Sequence, residues 1–203
     1  MNTTNSFRKF SLSALRSLVG CATALFTVAM LPSPAQAGFH LWTIREVYTD
    51  SSGSLQFIEL VDSFGGQIFV GGKTINVTNL GATQTLSFTL PGNLSGSTAG
   101  NTLLFGTAGL AAAGGPTPDY IIPNNFLFAA GGSIGFFGSN GGPYTALPTD
   151  GSNSRTWGNG NAVNSPQNFA GQTGTIVVPE PATWTLFGAG LTCLGFVMRR
   201  RIR

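Results

Sequence analysis

Serines are plentiful in this chain of 203 residues, but histidine and cysteine are scarce. There is a single histidine, His40, and the two cysteines, Cys21 and Cys193, lie towards the two ends. A serine nucleophile needs a neighbouring base, so any Ser/His/Asp arrangement would have to recruit His40. Residues 38–178 can supply neither a thiol nucleophile nor a cysteine-containing metal cluster. The sequence therefore predicts a protein that is not an enzyme and that holds no cofactor and no metal.

The remaining groups with chemical potential are carboxylates, above all Glu46 and Glu59 on two strands that we expect to be neighbours. A glycosidase requires two carboxylates about 5 to 9.5 Å apart across an open cleft. Alternatively, the pair is structural, hydrogen-bonded near a sheet edge with Arg45 close by. Calcium is a further option for Glu59 together with Asp50 and Asp62, although no EF-hand spacing accompanies them. We favour the structural role.

Five aromatic side chains could form a platform for sugar rings, since aromatic rings combine a large apolar area with, in Tyr and Trp, a polar group. They are Trp42, Trp157, Tyr48, Tyr120 and Tyr144. Core or loop-pinning roles are the more common use of such residues, and we expect those. A carbohydrate-binding surface module is the alternative function that these rings keep open.

The formal net charge of +3 belongs to the ends of the chain. Residues 38–178 contain three basic and six acidic residues and so carry a net charge of −3. The overall basic excess is therefore no indication of nucleic-acid binding, and we expect none.

The first 37 residues have the layout of a secretory signal peptide. A stretch with three basic residues, 1–17, precedes an apolar run over residues 18–31, and small residues follow at Ala35 and Ala37. We place cleavage by signal peptidase after Ala37. A lipobox-like sequence ending at Cys21 would make that cysteine a lipid-modified N-terminus, but the apolar run follows Cys21 instead of preceding it.

The C-terminal segment has three parts in a fixed order. Pro179 and Pro181 flank Glu180, and because each proline fixes φ and lacks an N–H, the tripeptide is held extended and unpaired. Residues 182–198 carry no charge and could form a helix of about 26 Å, just short of a hydrocarbon core of about 30 Å. The basic end consists of Arg199, Arg200, Arg201 and Arg203. Such a cluster marks the cytoplasmic side, so the preceding body is expected outside the membrane.

These three parts resemble the PEP-CTERM sorting signal of Gram-negative bacteria that make extracellular polysaccharide. The resemblance implies that an exosortase, a membrane-embedded transpeptidase related to cysteine proteases, recognises Pro179, Glu180 and Pro181. The helix and the basic end would then be discarded. The expected partners are signal peptidase and the exosortase, the membrane through residues 182–198 before processing, and extracellular polysaccharide as a further candidate. The expected location is an inner-membrane-anchored precursor, followed by the outer envelope or the extracellular space.

The body reads as all-β, because short β-branched and aromatic runs alternate with Gly, Asn, Ser and Pro and no helical period is sustained. The predicted strands are 41–49, 55–61, 67–70, 73–78, 85–90, 102–106, 125–129 and 133–138. We expect residues 139–174 to be a long loop pinned by aromatic rings. Without cysteines, this domain must be held together by burial alone.

Five loose motifs in the body resemble the lamin-tail domain, an immunoglobulin-like β-sandwich. They stand in order at 44–48, 57–60, 88–103, 134–137 and 164–169. The resemblance implies a binding or structural module. The predicted organisation is a signal peptide (1–37), a lamin-tail-like β-sandwich (38–171), a linker (172–178) and a sorting signal with a short transmembrane helix (179–203). We expect a non-enzymatic exported structural or interaction protein.

Overall fold

The computed structural model describes residues 41–136, 141–158, 160–178 and 186–192. It contains ten strands in the described part of the chain, and one short helix over residues 186–192. The strands are β1 (Trp42–Thr49), β2 (Gln56–Asp62), β3 (Thr74–Asn79), β4 (Thr85–Thr89), β5 (Asn101–Gly106), β6 (Tyr120–Ile121), β7 (Gly132–Phe136), β8 (Gly142–Tyr144), β9 (Asn153–Thr156) and β10 (Gly160–Val163). The predicted all-β class is confirmed.

The strands form two sheets, as a β-sandwich requires. The first sheet has the order β10-β9-β1-β2-β5-β6, and the second has the order β4-β3-β7-β8. Neighbouring strands are antiparallel, except that β5 and β6 run parallel. Four of the antiparallel pairs join consecutive strands, as in hairpins, whereas β1 with β9, β2 with β5 and β3 with β7 join strands that are distant in the sequence.

The main core contains side chains from both sheets. Phe105 of the first sheet meets Phe136 of the second edge to face, with ring centroids 5.9 Å apart. The buried members on strands of the first sheet are Trp42, Ile44, Val47, Ile58, Leu60, Leu103 and Phe105, and those on strands of the second are Ile75, Val77, Ile134, Phe136 and Tyr144. In β4 the predicted alternation is confirmed, because Leu86 and Phe88 pack against this core while the residues that alternate with them, Thr85, Ser87 and Thr89, are exposed.

A β-bulge at Arg45 decides which way the second half of β1 faces. Ile44 pairs with Leu60, but Glu46 then pairs with Glu59, so Arg45 has no partner in the register. An extra residue shifts the alternation by one and exchanges the two faces of the strand. Before the bulge the even-numbered residues face the main core, and after it Val47 does. Glu46 is thereby turned to the other side of the first sheet.

That other side, called the outer face below, carries a second and smaller core. Tyr48, Phe57 and Leu104 project from neighbouring strands and pack with Leu110 and Ile176. All five are fully buried. The outer face is therefore covered by chain from outside the sheet, and it is the place where the two glutamates lie.

Two of the predicted strands are wrong. Residues 67–70 and 125–129 form no strand, although both stretches bury apolar side chains. In the second stretch the side-chain amide of Gln56 takes the place of a strand partner: Leu127 N donates to its Oε1 and its Nε2 donates to Leu127 O, each at 2.9 Å. Backbone groups satisfied in this way allow a buried segment without a sheet ladder.

The predicted loop over residues 139–174 is also different in the structure. It contains β8, β9 and β10, which extend both sheets. These strands are three or four residues long and rich in Gly, Asn and Ser, so their sequences lack the β-branched pattern from which strands are predicted.

Candidate functional site

Residues 164–178, called the terminal strap below, lie against the outer face of the first sheet. Ser165 bonds to Glu46, and Phe169 N donates to Asp119 Oδ2 at 2.9 Å. Ile176 is fully buried in the second core, and Val178 packs against it. The strap thus includes residues 172–178, which the sequence led us to expect as a linker. They dock because the apolar side chains of Ile176 and Val178 pack into the second core on the outer face of the sheet.

Asn164 fixes both ends of the strap relative to each other. Its Nδ2 donates to Ser152 O at 2.6 Å and to Ile176 O at 2.7 Å, and its Oδ1 accepts from Ile176 N at 2.7 Å. The side chain is fully buried. Both peptide groups of Ile176 are therefore satisfied by one amide, as buried backbone groups require.

Glu46 is 3% exposed and fully engaged by serines. Its Oε1 accepts from Ser154 Oγ at 2.5 Å and from Ser165 N at 2.9 Å, and its Oε2 accepts from Ser165 Oγ at 3.1 Å. One of these serines lies on β9 and the other on the strap. Glu46, on β1, therefore links the strap to β1 and β9 of the first sheet.

Glu59, the cross-strand partner of Glu46, is fully buried and only partly satisfied. Its Oε1 accepts from Arg45 Nη1 at 3.0 Å, whereas its Oε2 has no hydrogen-bond partner. Arg45 also donates from Nη1 to Gln167 Oε1 of the strap at 3.3 Å.

Burial raises the pKa of Glu59 from 4.5 to about 8; Arg45 lowers it, the neighbouring Glu46 raises it, and the backbone N–H of Gln167 lowers it. The ion pair with Arg45 favours a charged Glu59, while the raised pKa favours a neutral one at pH 7. Burial dominates, because the Arg45 side chain is 41% exposed and shares one nitrogen between two acceptors. The raised pKa therefore favours the neutral form of Glu59 at neutral pH.

The geometry around the two glutamates does not resemble a glycosidase site. Both are buried beneath the strap, and the oxygens of Glu46 are already occupied by three donors. A glycosidase needs its carboxylates at an open cleft where a sugar ring can enter.

The other carboxylates proposed for calcium are engaged in turns. Asp50 accepts from Ser52, Ser54 and Leu55, and Asp62 accepts from Phe64 N, Gly65 N and Thr98 Oγ1. Within the described ranges no group of three His, Cys, Asp or Glu residues could hold a metal ion.

A Gly-x-Ser-x-Gly spacing at residues 131–135 coincides with β7. Ser133 pairs across the ladder with Thr78 and Pro143 in the middle of the second sheet. The nucleophile elbow of α/β-hydrolases is instead a sharp strand-to-helix turn. Ser133 lacks that setting.

Three of the five candidate aromatic residues are core residues. Trp42 and Tyr48 are 0% exposed and Tyr144 is 5% exposed. Tyr120 is half-buried, stacks on Phe105 with centroids 5.4 Å apart, and donates its hydroxyl to Gly92 O. These residues are placed where a sugar ring cannot lie flat on them.

Trp157 has a different position, at a surface cleft of about 470 Å³ between β8 and the end of β9. Arg155 lies in the same cleft, and its Nη2 donates to Ala146 O at 2.8 Å. Its Nε has no acceptor, and among the described residues no carboxylate forms an ion pair with it. The cleft therefore combines an aromatic ring with a cation that has no ion-pair partner among the described acidic side chains.

Several predicted features lie outside the described residues. They are the signal peptide with Ala35 and Ala37, His40, the tripeptide Pro179, Glu180 and Pro181, and the basic end Arg199, Arg200, Arg201 and Arg203. The helix over residues 186–192 falls inside the predicted membrane segment and is exposed along its length. In the described part of the chain, no helix has the length and apolar character needed to cross a membrane.

The last two residues of the strap belong to a segment with a known family signature. Residues 177–201 match the PEP-CTERM protein-sorting motif. No curated protein and no solved structure matches the chain. The PEP-CTERM motif implies an exported protein that carries a C-terminal membrane-anchoring signal and is processed by an exosortase. The resemblance noted at the end of the sequence is thus confirmed, whereas nothing in these comparisons supports the lamin-tail resemblance of the body.

Sequence reasoning missed most of the polar residues that hold the strap: Asn164, Ser165, Ser154 and Asp119. Asn and Ser in a Gly-rich stretch are typical of loops, so their type gave no signal of burial. One signal was available in Glu46 itself. A buried carboxylate needs hydrogen-bond donors, and where neighbouring residues do not supply them, a distant part of the chain must.

Proposed function

We propose that this chain is a non-enzymatic structural or interaction protein that an exosortase delivers to the cell envelope or to an extracellular polysaccharide matrix. The observation that carries the proposal is the PEP-CTERM match at residues 177–201, directly after a folded β body. The two cysteines lie outside the body, and its histidine, His40, is the third residue after the predicted cleavage at Ala37. The buried, hydrogen-bonded positions of Glu46 and Glu59 favour structural roles for them.

The strand order supports an immunoglobulin-like sandwich for the body. In that fold the strands A, B and E neighbour one another in one sheet and C′, C, F and G in the other. Here β1, β2 and β5 are consecutive neighbours, and β4, β3, β7 and β8 form the second sheet in the same sequence. The finer assignment of residues 38–171 to the lamin-tail domain rests on the five sequence motifs alone. Immunoglobulin-like sandwiches commonly serve as cell-surface modules, which agrees with an exported role.

The sorting function is tested by replacing Pro179, Glu180 and Pro181 with alanine in the full chain, in cells that contain the exosortase. We expect an uncleaved precursor that stays with the membrane. Thr183→Ala, in the same segment but outside the tripeptide, is the matched control and should be processed normally. Mass spectrometry of the wild-type exported protein provides the refutation: a peptide spanning residues 184–198 in that material would contradict exosortase processing.

The cleft at Trp157 favours a second candidate function, the binding of carbohydrate. An aromatic ring can stack on a sugar ring, and the guanidinium of Arg155 would select sugars that carry a carboxylate. The purified protein should bind matrix polysaccharide, and Trp157→Ala should weaken that binding at least tenfold. Phe64→Ala is the control, because Phe64 is 77% exposed and lies outside the cleft. Equal binding by both variants would exclude the cleft.

A further inference from the structure

The sorting motif and the folded body share residues. The PEP-CTERM match begins at residue 177, yet the strap is docked as far as Val178. Val178 N donates to Gly151 O at 2.9 Å, and Val178 packs against the second core. The docked residue Val178 is therefore the immediate neighbour of Pro179, the first residue of the tripeptide.

Contacts with Asn164, Gly151 and Gly114 hold the end of the strap against the body. Ile176 is fully buried, and both of its peptide groups are bonded to the side chain of Asn164. Gly151 has a φ of +80°, and a Cβ there would overlap the carbonyl oxygen of Val178. Gly114 lies against the strap in a similar way, since a Cβ there would stand 2.8 Å from Thr175 O. The docked strap thus depends on two positions where only hydrogen fits.

We infer that docking of the terminal strap controls the access of the exosortase to the sorting motif. The inference rests on the proposed function. Enzymes that cut peptides bind them as extended chains, through main-chain hydrogen bonds with residues next to the bond that is cut. In the docked strap, both main-chain groups of Ile176 and the N–H of Val178 are already bonded to the body. The motif is therefore read when the end of the strap is released, and docking afterwards holds the new C-terminal end on the body.

Gly151→Ala tests this without altering the strap or the motif. The added methyl group displaces Val178, so the end of the strap should open more often. Gly66→Ala is the matched control: Gly66 has nearly the same φ, +78°, and a Cβ there meets nothing within 4 Å. Both variants suffer the same backbone strain, and only the first one collides with the strap. Gly114→Ala is a second variant, acting on the strap at Thr175.

The measurement is a pulse–chase of the full chain in cells with the exosortase, following precursor and processed protein. We expect Gly151→Ala, and Gly114→Ala in the same direction, to be processed at least threefold faster than Gly66→Ala. Hydrogen exchange on the purified full chain in detergent should show faster exchange of the amides of Ile176 and Val178 in these variants. A fold lost altogether would be seen as fast exchange in β2 and β5 as well, and the other glycine variant then decides.

Equal processing of Gly151→Ala and Gly66→Ala, with the strap amides exchanging faster, would overturn the inference, and so would slower processing. A failure of the proposed function would be seen differently. If the exosortase does not process this chain, the triple alanine replacement of residues 179–181 would leave cleavage intact, whatever the state of the strap.

Discussion

Replacing Glu59 by glutamine should remove the part of the pH dependence of stability between pH 4.5 and 8 that this carboxyl group causes. Glu59 is fully buried, and burial raises its pKa from 4.5 to about 8. A carboxyl group with a raised pKa binds its proton more tightly in the folded state. The stability that it contributes is complete below pH 4.5, falls as the pH rises to about 8, and is constant above that.

The magnitude follows from the size of the pKa change. Each pKa unit corresponds to about 1.4 kcal/mol, so a rise from 4.5 to about 8 corresponds to about 5 kcal/mol at most. Arg45 is 41% exposed, which lets water screen this site, and we expect about 2 to 4 kcal/mol. Glutamine keeps an acceptor oxygen for Arg45 but never carries a charge. The variant should lie within about 1 kcal/mol of wild type at pH 5, because neutral Glu59 and glutamine are alike there. At pH 8.5 it should be about 2 to 4 kcal/mol more stable.

The assay is urea unfolding of residues 38–178 at pH 5, 6.5 and 8.5, with the free energy of unfolding taken from linear extrapolation. Other titrating groups are common to both proteins and cancel in the difference. Glu46→Gln tests the electrostatic contribution of Glu46, which raises the pKa of Glu59. In that variant the fall in stability should still begin near pH 4.5, the unfolded-state pKa, but end at a lower pH than in wild type. A difference between wild type and Glu59→Gln that is constant from pH 5 to 8.5 would refute a raised pKa.

Two further predictions concern the second core. Ile176→Ala should lower the free energy of unfolding by about 2 to 5 kcal/mol, because it removes a fully buried side chain. Val177→Ala is the control and should change this free energy by no more than about 0.5 kcal/mol, because Val177 is 66% exposed. Equal urea midpoints for the two variants would show that the strap is not docked. Tyr48→Phe should raise the free energy of unfolding by about 1 kcal/mol, because the buried hydroxyl has no partner while the ring still stacks on Phe57. Burial raises the pKa of Tyr48 to about 12, so an absorbance titration showing ionisation near pH 10 in the folded protein would contradict this burial.

Much of the strand content could be predicted, because the signals are local. In β1, β2, β3 and β5, runs of apolar and β-branched residues bounded by turn residues placed strands to within one residue. The sequence also led us to expect that β1 and β2 are neighbours, and in the structure Glu46 and Glu59 are cross-strand partners. In β8 to β10 the strands are held by their partners and by capping side chains such as Asp150, which binds Ser152 and Asn153. A composition of Gly, Asn and Ser gives no hint of such pairing.

The sequence by itself determined the sorting end of the protein and the class of its body. Proline geometry, the uncharged segment and the arginine cluster each act within a few residues, so they can be seen without a fold. Only the tertiary structure decided that Glu46 faces away from the main core and that residues 172–178 belong to the folded domain. The first depends on a bulge at Arg45, which no local pattern marks. The second depends on bonds such as that between Ser165 and Glu46, 119 residues apart, and on Ile176 packing in a core formed by strands near the other end of the body. Contacts at that distance exist only after the sheet has formed, and so the fate of the residues beside the sorting motif is a property of the fold.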